Sequence, residues 1–218
     1  MATKLAVYNA ALTLIGERSL ATLSENREPR RILDSVWDSG AVKTCLEAGG
    51  WNFGTRTFKI EYDPSVSPDF GFTYGFEKPS DWCGTQVVSH SEYFERPMLS
   101  HEFADESGWW WANIDTLYIK MTSDGAAYGG DLTAWTEKFT RYVEAYLASR
   151  IAPKLTRSKS IQEYVDDQAE QRLKGAAAKD AQNSGTSVPP EGSWNRSRGG
   201  RGGSGGRRDG GTRRGLVG

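Results

Sequence analysis

The stretch GGDLTAWTEKFTRYVEAYLASRIAP, Gly129 to Pro153, decides how the rest of the chain is read. Leu132, Trp135, Phe139, Tyr142, Val143, Tyr146, Leu147 and Ile151 recur at spacings of three and four, the period that puts side chains on one face of a helix. Asp131 is placed to cap this helix, which is expected to reach about Ala152, where Pro153 would end it. A helix with so wide an apolar face cannot stand alone, so other elements must cover it.

Covering elements are found at both ends of the chain. Upstream, Leu5, Tyr8, Leu12 and Ile15 share a face and Gly16 supplies a stop. A second helix is expected from Glu28–Pro29, since a proline in the first turn loses no hydrogen bond. It carries Ile32, Leu33, Val36, Trp37, Ala41, Cys45 and Ala48, and ends at Gly49–Gly50. Downstream, Ser158 to about Gln182 keeps Ile161, Tyr164, Val165 and Leu173 among charged residues. The run Leu5–Gly16 imitates the apolar core of a secretory signal, but Tyr8, Asn9 and Thr13 interrupt it and no small-residue cleavage site follows, so it reads as a helix of the mature, soluble protein.

Between the helical halves, from Trp51 to Met121, aromatic and β-branched residues cluster in short segments divided by Pro64, Pro68, Pro79, Pro97 and several glycines. Candidate strands are Thr55–Glu61, Phe70–Phe76, Gln86–His90 and Thr116–Met121, with Glu92–Met98 and Trp109–Ala112 as further candidates. No intervening segment suits a parallel crossover, so a small antiparallel sheet is expected. The expected class is α+β: a helical bundle of about four helices from residues 1–50 and 130–182, an inserted antiparallel β domain over 51–129, and an extended C-terminal arm over 183–218.

The arm differs in kind. Residues 183–218 hold 12 glycines and seven arginines against two acids, a net charge of +5, while the preceding residues carry a net charge of −6. Such a segment lacks the apolar surface to offset its ordering entropy alone. An acidic body offers no broad attraction to a phosphate backbone, so any nucleic-acid contact rests on the arm. Its Arg198–Gly203 stretch resembles the RGG boxes of RNA-binding proteins, in which arginine pairs with phosphate or stacks on bases. Docking along a protein groove, with Trp194, Leu216 and Val217 as apolar anchors, is a competing use, and an arm that only solubilises the chain is a third.

Catalytic chemistry finds little footing. There is no Gly-rich phosphate loop ahead of a helix and no Gly-x-Ser-x-Gly elbow. His90 and His101 are the sole histidines, and with Glu92, Glu102, Asp105 and Glu106 they outline a conceivable metal site at no recognised ligand spacing, with plain surface or interface residues as the default. Cys45 falls on an apolar helix face and reads as structural, Cys83 falls in a turn, and two cysteines in a chain this long imply no disulfide framework. Glu28, Asp34, Asp38 and Glu47 read as a solvated helix face. Trp109, Trp110 and Trp111 stand apart: as a strand, the run buries one side and leaves aromatic area on the other, an interface feature, whereas in an irregular loop all three pack inside.

Several pieces, in order, resemble one family. Tyr8-Asn9-Ala10-Ala11-Leu12-Thr13-Leu14-Ile15-Gly16-Glu17, then Leu20-Ala21-Thr22-Leu23 and Ala48-Gly49-Gly50-Trp51-Asn52-Phe53, resemble the N-terminal part of the tail tubular protein A family of podoviruses, the short-tailed bacteriophages. Phe72-Thr73-Tyr74-Gly75-Phe76-Glu77-Lys78-Pro79-Ser80-Asp81 is similar to that family's aromatic strand and Leu-Pro-x-Asp turn, with Lys78 in place of the apolar residue before the proline. Trp135-Thr136-Glu137-Lys138-Phe139 and Tyr146-Leu147-Ala148-Ser149-Arg150-Ile151-Ala152 are similar to its third helix.

The resemblance implies a structural virion protein with no catalytic residue, cofactor or metal. It would be a head-to-tail adaptor, expected as a dodecameric ring, assembled in the host cytoplasm and located in the phage tail. It would join portal protein to tail nozzle protein and extend the DNA channel for genome ejection, with tail fibres as a further candidate partner and no membrane. On this reading the arm residues Trp194, Arg196, Arg198, Arg201, Arg207, Arg208, Arg213, Arg214, Leu216 and Val217 lie along the portal, and Trp109, Trp110 and Trp111 face the next subunit or the nozzle. Genome DNA would pass through the lumen without sequence specificity. The alternative is a nucleic-acid-binding protein that acts through its Arg/Gly-rich arm.

Overall fold

A computed structural model of the protein describes residues 2–68 and 71–183. Of the arm expected over 183–218, Asn183 ends the last helix, and residues 184–218, with every arm residue named above, lie outside the described residues. Among the described residues the fold is α+β: four helices, one of them bent, and two small antiparallel sheets.

Helix α1 is Lys4–Leu14, capped by Thr3, whose Oγ1 accepts from the Ala6 N–H at 3.2 Å. It buries Val7, Tyr8, Ala11 and Leu12, and Gly16 follows in the left-handed region at φ 78°. The second expected helix is real but bent. Helix α2, Glu28–Val36, passes through a π-helical step, Trp37–Ala41, into α3, Val42–Glu47. Gly40 sits in that step at φ 95°, a conformation a side chain resists, which is why the bend falls there.

The helix of the opening stretch, α4, is Glu137–Leu155, five residues shorter at its start than the apolar period suggests. Asp131 is not its cap: its carboxylate accepts from the N–H and hydroxyl of Thr133 (2.9 and 2.7 Å), closing a local turn, and Thr136 caps instead by accepting from Phe139 N–H. Trp135 keeps its place in the core from that turn, donating its indole N–H to the Gly129 carbonyl at 2.8 Å. Nor does Pro153 end the helix. It lies inside the last turn, which closes with Thr156 donating to Ala152 O. Helix α5, Lys159–Asn183, agrees closely with the expectation.

Three strands follow the expected segments: β1 (Thr55–Glu61), β5 (Trp109–Ala112) and β6 (Thr116–Ser123); β3 (Trp82–Ser89) begins four residues before the expected Gln86, so that Cys83, expected in a turn, lies in a strand. Phe70 lies outside the described residues, and the strand expected around it, β2, is Tyr74–Glu77. Glu92–Met98 forms no strand; Pro97 makes a single bridge to Ser89, because proline has no N–H to continue a ladder. The strand that periodicity did not pick out is β4, Phe103–Glu106, a four-residue segment with two acids.

In place of one sheet there are two, β1-β6-β3 and β2-β5-β4, each wholly antiparallel. They meet across a cluster of Phe76, Val88, Trp110, Ala112, Leu117, Ile119 and Met121, all essentially free of solvent contact. A second and larger cluster joins the ends of the chain: Tyr8 and Leu12 of α1, Leu33 of α2, Leu46 of α3, Trp51, Phe139 and Leu147 of α4, and Val165 of α5. Trp51 is its hub, packed against Phe53, Phe139 and Tyr142, with its indole N–H given to the Cys45 carbonyl at 3.1 Å.

Candidate functional site

The second sheet presents the most distinctive surface. Strand alternation splits its three tryptophans: Trp110 points into the strand core and is fully buried, whereas Trp109 and Trp111 share the outer face, half-buried. The two outer rings stack on each other, with centroids 5.7 Å apart and planes 23° from parallel. Register explains how they fit. Trp111 pairs with Gly75 on β2 and Ala104 on β4, while Trp109 pairs with Glu77 and Glu106. A Cβ at Gly75 would come within 2.6 Å of the Trp111 ring, so glycine there lets the indole lie across the sheet. The result is an aromatic platform with small residues beneath one end and exposed carboxylates at the other.

The inner side of the same sheet is locked to the first. Trp110 donates to Thr85 Oγ1 at 2.9 Å, Trp82 donates to the same hydroxyl at 3.1 Å, and Thr85 donates to Asp105 at 2.5 Å. Lys78 completes the network. Its ammonium pairs with Asp105 and lies 4.1 Å from the Trp82 ring centroid and 5.7 Å from that of Trp110. The lysine thus occupies an interior position by burying its stem and resting its charge between a carboxylate and two ring faces. Register shifts in β3 around Gly84 and Thr85 re-aim this strand toward the second sheet.

The neighbouring turn is held by Asp81. Arg56 donates to both its oxygens at 2.6 and 2.8 Å, and the Ser123 hydroxyl donates at 2.5 Å. Burial alone would raise this carboxyl, but the bonds from Ser123 and Arg56 outweigh it and hold the group below its ordinary range.

His90 and His101 are brought together, lining a cleft of about 330 Å³ with Arg96, Met98 and Glu102. Glu102 is already engaged by the Leu99 N–H at 2.8 Å and by Arg96 at 3.1 Å. Asp105 belongs to the lysine network and Glu106 to the tryptophan face, so the carboxylates near in sequence are dispersed. Among the described residues no group of three potential ligands is placed to hold a metal ion. Both cysteines are buried, and burial pushes the Cys45 thiol up to about 12 and the Cys83 thiol up to about 11. Asp34 is not merely solvated: it accepts from Tyr8 at 3.0 Å and faces Lys4 and Arg30 at 3.5 and 3.4 Å.

The class this architecture defines is an α+β chain whose two cores leave an aromatic platform outward. Among the described residues no helix is long and apolar enough to cross a membrane. No protein-family model matches the chain, and no curated protein matches it.

Proposed function

We propose that the protein is a head-to-tail adaptor of a short-tailed bacteriophage: a homo-oligomeric ring, a dodecamer, seated between portal and tail nozzle and extending the DNA channel. In this reading residues 1–50 and 130–182 form the helical bundle, 51–129 the inserted β domain, and 183–218 an arm laid along the portal. The observation that carries it is the hydrophobic cluster shared by α1, α2, α3, α4 and α5, while the buried hydrophobics of the strands, Cys83 of β3 apart, form a second cluster. Such sharing supports the layout that the resemblance implies, with a β region that meets neighbours.

The platform of Trp109 and Trp111 supports the same reading, since exposed aromatic surface beside a polar edge is typical of interfaces. An acidic body repeated round a ring, if its acids face the lumen, suits a conduit that must release DNA without sequence preference. Negative-stain images of the full chain, alone and mixed with a podoviral portal, test the proposal: rings are expected, and a monomer that ignores the portal overturns it. Trp109→Ser with Trp111→Ser should weaken ring assembly or nozzle binding at least tenfold; unchanged behaviour in both would detach the platform from the interface.

The rival, nucleic-acid binding through the arm, is favoured by the Arg198–Gly203 stretch alone. Strong, salt-sensitive RNA or DNA retention on filters that disappears on truncation after Gln182 would establish it instead.

A further inference from the structure

A groove and a helix face of this chain carry opposite charge, and neither pairs with the other within the protomer. Between α2 and α4 lies a cleft of about 540 Å³. Ile32 and Val36 give it an apolar lining, and the exposed Arg31, Arg150 and Lys154 outnumber its one acid, Glu28. Arg31 is held by the Asn26 side chain at 2.6 Å, and none of the three cations forms a salt bridge among the described residues.

On α5, the stretch Glu163–Glu170 has four acids and no base. Tyr164 stands in it 52% exposed, the largest side chain that α5 gives to solvent. Glu163 and Glu170 pair only with Lys159 and Lys174 of the same exposed face, and Asp166 and Asp167 form no ion pair among the described residues. Exposed pairs of that kind are worth little and are readily exchanged.

The two features point away from each other. Arg172 fastens α5 to α4 by donating to the Arg141 carbonyl at 3.0 Å and pairing with Glu144 at 3.8 Å. Nine residues separate Arg141 from Arg150, a turn of about 180° at the helical 100° per residue. The groove therefore lies on the far side of α4 from α5, out of reach of its own acidic face. A second copy has no such restriction, and a contact of face to groove is heterologous, the kind that closes into a ring when the rotation allows.

We propose that the Glu163–Glu170 face of α5 docks into the Arg31, Arg150 and Lys154 groove of a second copy, with Tyr164 set against Ile32 and Val36. The inference rests on the ring reading above and names the joint between its subunits.

Charge reversal in the full-length chain tests it by light scattering and negative stain. Arg150→Glu with Lys154→Glu should weaken self-association at least tenfold, as should Asp166→Lys with Asp167→Lys. All four side chains are exposed, so the far-UV circular dichroism of the folded variants should be unchanged. Mixing the two variants one to one pairs each altered surface with its opposite and should restore rings of alternating subunits; so should the fourfold variant alone. Rings unaffected by either reversal overturn this joint and leave the adaptor reading standing. Loss with the groove variant only, and no rescue, means that another part of the neighbour fills the groove and overturns the role of α5. A wild-type chain that never self-associates removes joint and ring together.

Discussion

At the residue scale, the polar groups that matter are those whose partners come from distant segments. Asp81 ties β1 and β6 to the turn before β3 through Arg56 and Ser123. Asp81→Asn removes one side of a part-buried charge-assisted network and should cost about 1–3 kcal/mol. Because the folded carboxyl titrates below its ordinary value, this stability is fully present above the unfolded pKa of about 3.9 and is lost as pH falls through the lower folded value. Tm followed from pH 6 to pH 2 should therefore fall less steeply for the variant than for the wild type; parallel acid limbs would contradict the assignment. The special roles of Lys78 and Gly75 were not legible in the sequence. A lysine before a proline looks like a surface residue until Asp105 and Trp82 are brought to it from β4 and β3.

At the scale of elements, periodicity located helices well and their ends less well. Apolar spacing continues through Leu132 and Trp135 because both pack against the helical core, yet Asp131 binds Thr133 and the backbone turns helical only after Thr136. Burial follows packing, whereas a helix start follows whichever side chain reaches the free N–H groups. Thr136→Ala should accordingly lower stability by about 1 kcal/mol, while Asp131→Ala should leave the helix start intact; urea melts of the two variants decide between the caps. The strands show the same division. Thr55–Glu61 and Trp109–Ala112 were readable from their composition, but β4 was not, since Ala104, Asp105 and Glu106 lack strand character and pair because β5 lies alongside.

For the whole molecule, the decisive fact is that the chain closes on itself through α4. Val7, Tyr8, Ala11 and Leu12 of α1 are solvent-free in a cluster with Phe139, Val143 and Leu147. Deleting residues 2–16 would uncover that face, and at about 1.5–3 kcal/mol for each large apolar side chain the loss is comparable to the roughly 5–15 kcal/mol by which folded domains are stable. The deletion should abolish near-UV circular dichroism and bind a hydrophobic dye, and a cooperative melt in its place would show the bundle to be more autonomous than its core implies. Asn52 and Asp180 make a second closure: the Asp180 carboxylate accepts from Asn52 N–H at 3.1 Å and the Asn52 amide donates to Asp180 O at 3.0 Å, fastening the end of α5 beside Trp51.

Local periods of three to four and of two residues were enough to foresee helices at both termini, strands between them and antiparallel pairing, because each period reflects an element's own need to bury one side. They raised a two-faced strand for the Trp109–Trp111 run beside an irregular loop that buries all three, and the fold decided for the strand. Partition into two sheets, the burial of Trp110 against the stacking of Trp109 on Trp111, and the isolation of a basic groove from an acidic helix face all depend on which segments meet. Contacts between residues far apart in sequence leave no periodic trace along the chain, so they could be known only from the folded molecule.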